Sequence, residues 1–169
     1  AVAAGVPLAA IAQGLQAFTP VTGRSRALAL PWQGRTITLV DDTYNANPDS
    51  MQAAIAVLAE LPAPRLLVLG DMGEVGDQGT AFHAEVGHSA RAAGIEQLIA
   101  LGPQSQGAVA AFGPAGWHGQ GMAAVQAQVL AAVQAGVASV VVKGSRSMRM
   151  EQVVQALQAA SAQQGAGVC

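Results

Sequence analysis

Residues 66–101 read LLVLGDMGEVGDQGTAFHAEVGHSARAAGIEQLIAL. Leu66–Leu69 is a short, unbroken apolar run, as a strand buried on both faces requires. A loop rich in glycine and acidic residues follows, from Gly70 to Gly79. Thr80–Ala93 reads as a helix and Gln97–Leu101 as a second buried strand. Strand, loop, helix and strand in succession form a unit whose two strands lie parallel.

The same alternation continues in both directions. Downstream, Ser105–Phe112 is weakly helical, and Trp117 sits in a short strand candidate. Met122, Val125, Val129 and Val133 share one helical face, Ser139–Val142 is a strand, and Met150–Ala160 is a last helix. Upstream, Met51, Ile55 and Leu58 recur at i, i+4 and i+7, which predicts a helix over Pro48–Leu61. Before it stand two strand candidates, Ala27–Leu30 and Thr36–Val40, joined by the turn Trp32-Gln33-Gly34, so the pair reads as a hairpin. Val2–Phe18 is helical in character, broken near Gly5-Val6-Pro7, and Thr19–Ser25 is a linker with Pro20 and Gly23. The predicted class is α/β: a mostly parallel sheet with helices on both faces and an N-terminal hairpin.

Composition narrows the function. At 169 residues and 51% hydrophobic, the chain can build one domain with a sizeable core. Its net charge of −2, with eight Lys plus Arg, supplies no basic field for nucleic acid. No apolar run reaches the roughly 20 residues that cross a bilayer. The N-terminus has no basic region of the kind that opens a signal peptide. Cys169 is the single cysteine, so neither an internal disulfide nor a cysteine-based zinc site can form within one chain.

Parallel sheets take their ligands at the carboxyl ends of the strands. Three strand-to-helix loops are therefore candidates for chemistry. The first, DDTYNANPDSM at Asp41–Met51, ends a strand on carboxylates able to accept from ribose hydroxyls, and opens a helix with Asn47 as N-cap and Pro48 at the first position. These residue types also build an ordinary turn. The second, Gly70–Gly79, lets backbone approach a partner closely and offers acidic groups for a substrate amine or a magnesium ion. An acidic surface loop is the competing reading. The third, Val142–Arg149, places Lys143, Arg146 and Arg149 within seven residues after a core strand, as an anion site requires. None of the loops has the order of a P-loop or of a dinucleotide fingerprint. His83 and His88 stand at i and i+5, off the spacing of one helical face, and a lone His83 reads as a packing or capping residue.

Taken together, DDTYNANPDSM (Asp41–Met51), LGDMGEVG (Leu69–Gly76) and VKGSRSMRME (Val142–Glu151) resemble the last domain of the Mur ligases. The Tyr-Asn-Ala-Asn-Pro form of the first motif is similar to the branch that adds D-alanyl-D-alanine. Gly23-Arg24 also resembles the family's entry into that domain, and the resemblance runs from about Gly5 to Leu157.

The resemblance implies a Rossmann-like fold and an ATP-dependent amide ligase of the cytoplasm. Its substrates would be UDP-N-acetylmuramoyl-tripeptide and D-alanyl-D-alanine, joined through an acyl phosphate in peptidoglycan precursor synthesis. ATP and Mg²⁺ would be held mainly by a central P-loop domain that this sequence lacks, with no metal in the present domain. Residues 1–22 are then expected to be the end of that central domain and a linker, 23–160 the Mur ligase C-terminal domain, and 161–169 a frayed tail. The chain itself reads as part of a longer protein, inactive alone, that partners its upstream domains and neither nucleic acid nor membrane. By position, Arg24, Asp42, Tyr44, Asn45 and Asn47 would bind nucleotide, with the choice among Asp41, Asp42, Asn45 and Asn47 left open. Asp71, Glu74, Lys143, Ser145 and Arg146 would bind the dipeptide. No residue is assigned a catalytic role of its own, Lys143 being the one candidate. Two alternatives stand beside this reading: a sister ligase of the Mur and folylpolyglutamate type, and a non-catalytic nucleotide-binding module.

Overall fold

The computed structural model describes residues 5–16 and 22–165. Residues 19–21 of the linker and the outer parts of the Val2–Phe18 stretch lie outside these residues; within them, helix α1 covers Leu8–Gln16. Strands β1 (Arg26–Trp32) and β2 (Arg35–Asp42) form the expected hairpin. Its turn is two residues long, with Gln33 at φ 47° and Gly34 at φ 77°. Two successive positive φ values give the twist that matches paired strands. The turn is therefore tighter than the sequence suggested, because Trp32 stays in the strand opposite Arg35 with its ring buried.

From there the chain alternates as predicted: α2 (Pro48–Ala59), β3 (Arg65–Gly70), α3 (Gly79–Ala92), β4 (Gln97–Leu101), α4 (Gln106–Phe112), β5 (Gly116–Gly119), α5 (Met122–Gln134), β6 (Ser139–Lys143) and α6 (Glu151–Gly165). The six strands lie in the order β1-β2-β6-β3-β4-β5, and every neighbouring pair except β1–β2 is parallel.

Strand side chains alternate between two cores. Leu66, Val68, Val140 and Val142 face α5 and α6, together with Val125, Val129, Val153 and Leu157. Leu67, Leu69 and Val141 face the other way, onto Met51, Ile55 and Leu58 of α2 and Val86 of α3. A central strand buried on both faces is apolar along its middle, which explains the runs, and the polar residues of β6, Ser139 and Lys143, stand at its two ends, each with a hydrogen-bond partner.

One expectation is corrected. Residues 161–165 are not a frayed tail: α6 continues to Gly165, and Ser161 is buried with its Oγ donating to Pro31 O at 2.7 Å. The small, polar composition misled because Ser161 finds its partner on the hairpin, a contact remote in sequence. Residues 166–169 lie outside the described residues.

The topology also fixes where a site can form. Helices α2 and α3, which follow β2 and β3, cover one face, while α6, which follows the intervening β6, covers the other. Loops leaving adjacent strands in opposite directions open a crevice at the strands' carboxyl ends.

Candidate functional site

Strands β2 and β6 end side by side, with Asp42 in register with Lys143. Lys143 is buried, and its Nζ donates to Asp42 Oδ2 at 2.6 Å and to Asn45 O at 2.8 Å. The buried cation is thus neutralised by the carboxylate beside it, the condition under which a buried charge is tolerated. Asp42 Oδ1 accepts from Ser25 N at 2.9 Å and Ser25 Oγ at 3.1 Å.

The neighbouring Asp41 does something different. It is buried and turns into the loop, where Oδ1 accepts from Thr43 Oγ1 at 2.7 Å and Oδ2 from Gly23 N at 3.1 Å. Gly23 O accepts from Tyr44 N at 2.9 Å, so the segment entering the domain is laced to the β2–α2 loop. Gly23 has φ 79°, and a Cβ there would stand 3.1 Å from Tyr44 N, so both conformation and space call for glycine. This lacing sets Arg24 over the Tyr44 ring, 4.1 Å from guanidinium carbon to ring centroid. Asn47 caps α2 as predicted: its Oδ1 accepts from Ser50 N at 2.9 Å, and Ser50 Oγ accepts from Asn47 N at 3.0 Å.

A cavity of about 700 Å³ opens above this edge, between the hairpin and α2. Arg24, Asp42, Tyr44, Asn45, Asn47 and Lys143 line its polar part. Val40, Ala53, Ala54, Val57, Leu61 and Val141 form an apolar wall. An apolar slot with a few converging polar groups is the usual form of a small-molecule site, and this volume lies within the roughly 300–1,000 Å³ such sites span. The slot suits a flat ring, the carboxylate a sugar hydroxyl, and the exposed Arg24 an anion. A smaller recess of about 380 Å³ shares Gly23 and Tyr44 with it and is lined on its far side by Arg146, Glu151 and Gln155 of the β6–α6 segment.

All five residues expected to bind nucleotide therefore line one cavity. The residues expected to bind the dipeptide are dispersed. Lys143 lies with the first group, tied to Asp42. Arg146 lines the smaller recess, with its side chain 68% exposed and 3.5 Å from Glu151. Ser145 is buried and its Oγ lies 3.1 Å from Ser147 Oγ. Glu74 is exposed on the β3–α3 loop with a left-handed φ of 58°. The Asp71 carboxylate points away from both recesses, accepting from Ser105 N at 2.8 Å, Ser105 Oγ at 2.5 Å and Gln104 N at 3.3 Å. Its geometry corresponds to a loop staple, where the sequence suggested a ligand. The signal missed was the β4–α4 loop, whose Gln104 and Ser105 look unremarkable in sequence but cover Asp71. The apolar wall was also unassigned, since Ala53, Val57 and Leu61 read simply as positions of a helix. Among the described residues, no three His, Cys, Asp or Glu side chains come together as a metal site would need.

The family model described as Mur ligase, glutamate ligase domain, matches residues 23–146. The chain belongs to the Mur ligase family. Among curated Mur ligases, it is 40% identical over 154 residues to the UDP-N-acetylmuramoyl-tripeptide–D-alanyl-D-alanine ligase of Escherichia coli K12, a match covering 91% of this chain and 33% of that protein. The Haemophilus influenzae protein of the same name is 34% identical over 158 residues, covering 90% of this chain and 34% of that one. A crystal structure of MurF from Acinetobacter baumannii superposes with a TM-score of 0.75 at 30% identity, covering 94% of this chain and 34% of that chain. The Mur ligase chain described here thus spans about a third of the length of the relatives it matches. Its Rossmann-like sheet is that of the matched structure.

Proposed function

We propose that this chain serves as the C-terminal domain of an ATP-dependent ligase that adds D-alanyl-D-alanine to UDP-N-acetylmuramoyl-tripeptide in the cytoplasm, for peptidoglycan synthesis. The observation that carries the reading is the convergence of Arg24, Asp42, Tyr44, Asn45 and Asn47 on one cavity at the carboxyl edge of the sheet. Relatives named for this reaction match over nine-tenths of the chain.

In this reading the cavity takes the nucleotide. The apolar wall from α2 packs the base, Asp42 accepts from a ribose hydroxyl, and Arg24 meets the phosphates. Asp42 Oδ1 already accepts from Ser25 N and Ser25 Oγ, but Oδ2, which accepts from Lys143, keeps a lone pair for one further bond. Lys143 serves chiefly to hold Asp42 and the Asn45 carbonyl in place, and Arg146 and Glu74 are left to meet the charged ends of the dipeptide. Mg²⁺ neutralises the phosphates when bound. Cleavage of ATP and activation of the tripeptide carboxylate belong to a P-loop domain outside this sequence. The chain's residues orient the amine for attack and exclude water as the domain closes. Thr19–Ser25 is the linker in which the hinge of that closure is proposed, its Gly23–Ser25 end being tied to Asp41, Asp42 and Tyr44 and so moving with the domain.

The test is an assay of the longer protein that carries this chain. With ATP, Mg²⁺ and UDP-N-acetylmuramoyl-tripeptide, it should form an amide with D-alanyl-D-alanine, releasing one ADP per bond. Equal or faster use of glutamate would favour the sister-ligase alternative, and nucleotide binding without amide formation would favour the non-catalytic one.

A further inference from the structure

Asp71 and His83 are both buried, and neither lines the cavity or the smaller recess. His83 stands on α3 with no solvent exposure at all. Its Nε2 accepts from Met72 N at 3.0 Å, and its Nδ1 lies 2.6 Å from Gly79 O, one helical turn back. An accepting Nε2 puts the ring proton on Nδ1, which donates it to the carbonyl. Asp71 Oδ1 is 3.8 Å from Nε2, but that nitrogen's lone pair is already taken by Met72, so the contact is not an ion pair.

The backbone held this way touches three other loops. Asp71 O accepts from Ser145 N at 2.9 Å, in the β6–α6 loop. Its carboxylate holds Gln104 and Ser105, in the β4–α4 loop. Gly73 N donates to Ala46 O at 3.1 Å, in the β2–α2 loop. The packing is close: a Cβ on Gly73 would stand 3.3 Å from Ser145 Cβ and 3.9 Å from Asn45 Oδ1. Residues 71–73 thus form the wedge between the loop that carries Tyr44 and Asn45 and the loop that carries Ser145 and Arg146.

We propose that His83 is a positioning residue: through the Met72 N–H it fixes this wedge, and so sets the separation of the two ligand-facing loops. The consequence for catalysis rests on the ligase reading above; the structural part does not. Reacting groups displaced by about 1 Å lose rate steeply, up to roughly a hundredfold. A side chain that never meets a ligand can therefore control turnover through the backbone it holds. The competing account is that His83 only fills space beneath α3.

Three substitutions separate these accounts. His83→Phe keeps a ring but leaves the buried Met72 N–H without an acceptor. His83→Gln carries an amide oxygen near the position of Nε2. His83→Asn is too short to reach Met72 but can still serve Gly79. Two readouts are taken on the longer ligase: steady-state kinetics, and hydrogen exchange of the backbone amides. Phe and Asn should speed exchange at Met72 and Gly73 and lower kcat roughly ten- to a hundredfold. Gln should retain most of both protection and turnover. Wild-type kcat in a folded Phe variant, or equal behaviour of Asn and Gln, overturns the proposal. So does lost turnover with Met72 and Gly73 still protected. If the Phe variant fails to fold, the comparison of Asn with Gln decides. If the wild-type protein forms no amide, the ligase reading fails on its own; the wedge is then judged by exchange alone, which must open in Asn and stay closed in Gln.

Discussion

Arg24 stacks on the Tyr44 ring and is exposed, so its link to that ring contributes only about 0.5–1 kcal/mol. The resemblance in sequence implied a nucleotide-binding role for it, and an exposed arginine could equally pair with a surface carboxylate. The structure adds a third contact, because stacking holds the guanidinium at the rim of the cavity before any anion is present. Arg24→Ala in the longer ligase should therefore lower turnover at least tenfold, about the loss of one charge-assisted hydrogen bond, while stability changes by no more than about 1 kcal/mol. Tyr44→Ala should give a smaller fall in turnover and Tyr44→Phe little change, since the ring face does the holding. Turnover near wild type in Arg24→Ala, measured beside its thermal midpoint, would leave the phosphate role without support.

The elements carry their own consequences, and α6 is the clearest. Its last turn is anchored by the bond from Ser161 to Pro31 O and by burial against the hairpin. Removing residues 161–169 should cost about 1 kcal/mol from the lost hydrogen bond alone. For a domain of this size that lowers the thermal midpoint by about 2–4 °C. A midpoint identical to that of the intact chain, by calorimetry, would mean that the last turn contributes nothing. The hairpin is therefore more than an edge decoration: β1 receives α6 on one side and closes the cavity on the other through Ala27.

At the scale of the whole molecule, two cores sandwich a six-stranded sheet, and residues 22–165 contain both. The cavity stands open on one side, as the proposed function requires of a surface that would meet a nucleotide between domains. The 169-residue chain is expected to unfold in one cooperative transition, yet to show no ATP hydrolysis and no amide formation, because it has no P-loop. ATP-dependent product formation by the purified chain would contradict the division of labour proposed here.

Periodicity determined the class and order of the elements. Leu66–Leu69 and Val140–Val142 are continuous apolar runs because both faces of a central strand are covered, and that demand is local enough to read directly. Asn47 and Pro48 marked the start of α2 for the same reason, since capping involves only neighbours in sequence. That one loop lines the cavity was legible because Tyr44, Asn45 and Asn47 follow Asp42, the last residue of β2, in one short segment. What the sequence could not decide was which way adjacent side chains turn. Asp41 turns inward to Gly23 and Thr43, Asp42 outward to Ser25 and Lys143, and Asp71 away from the ligand faces to Ser105. Each choice depends on a partner at least 17 residues away, apart from Thr43. A carboxylate's direction is set by whichever donors the fold brings within hydrogen-bond reach, and only the tertiary structure brings them there.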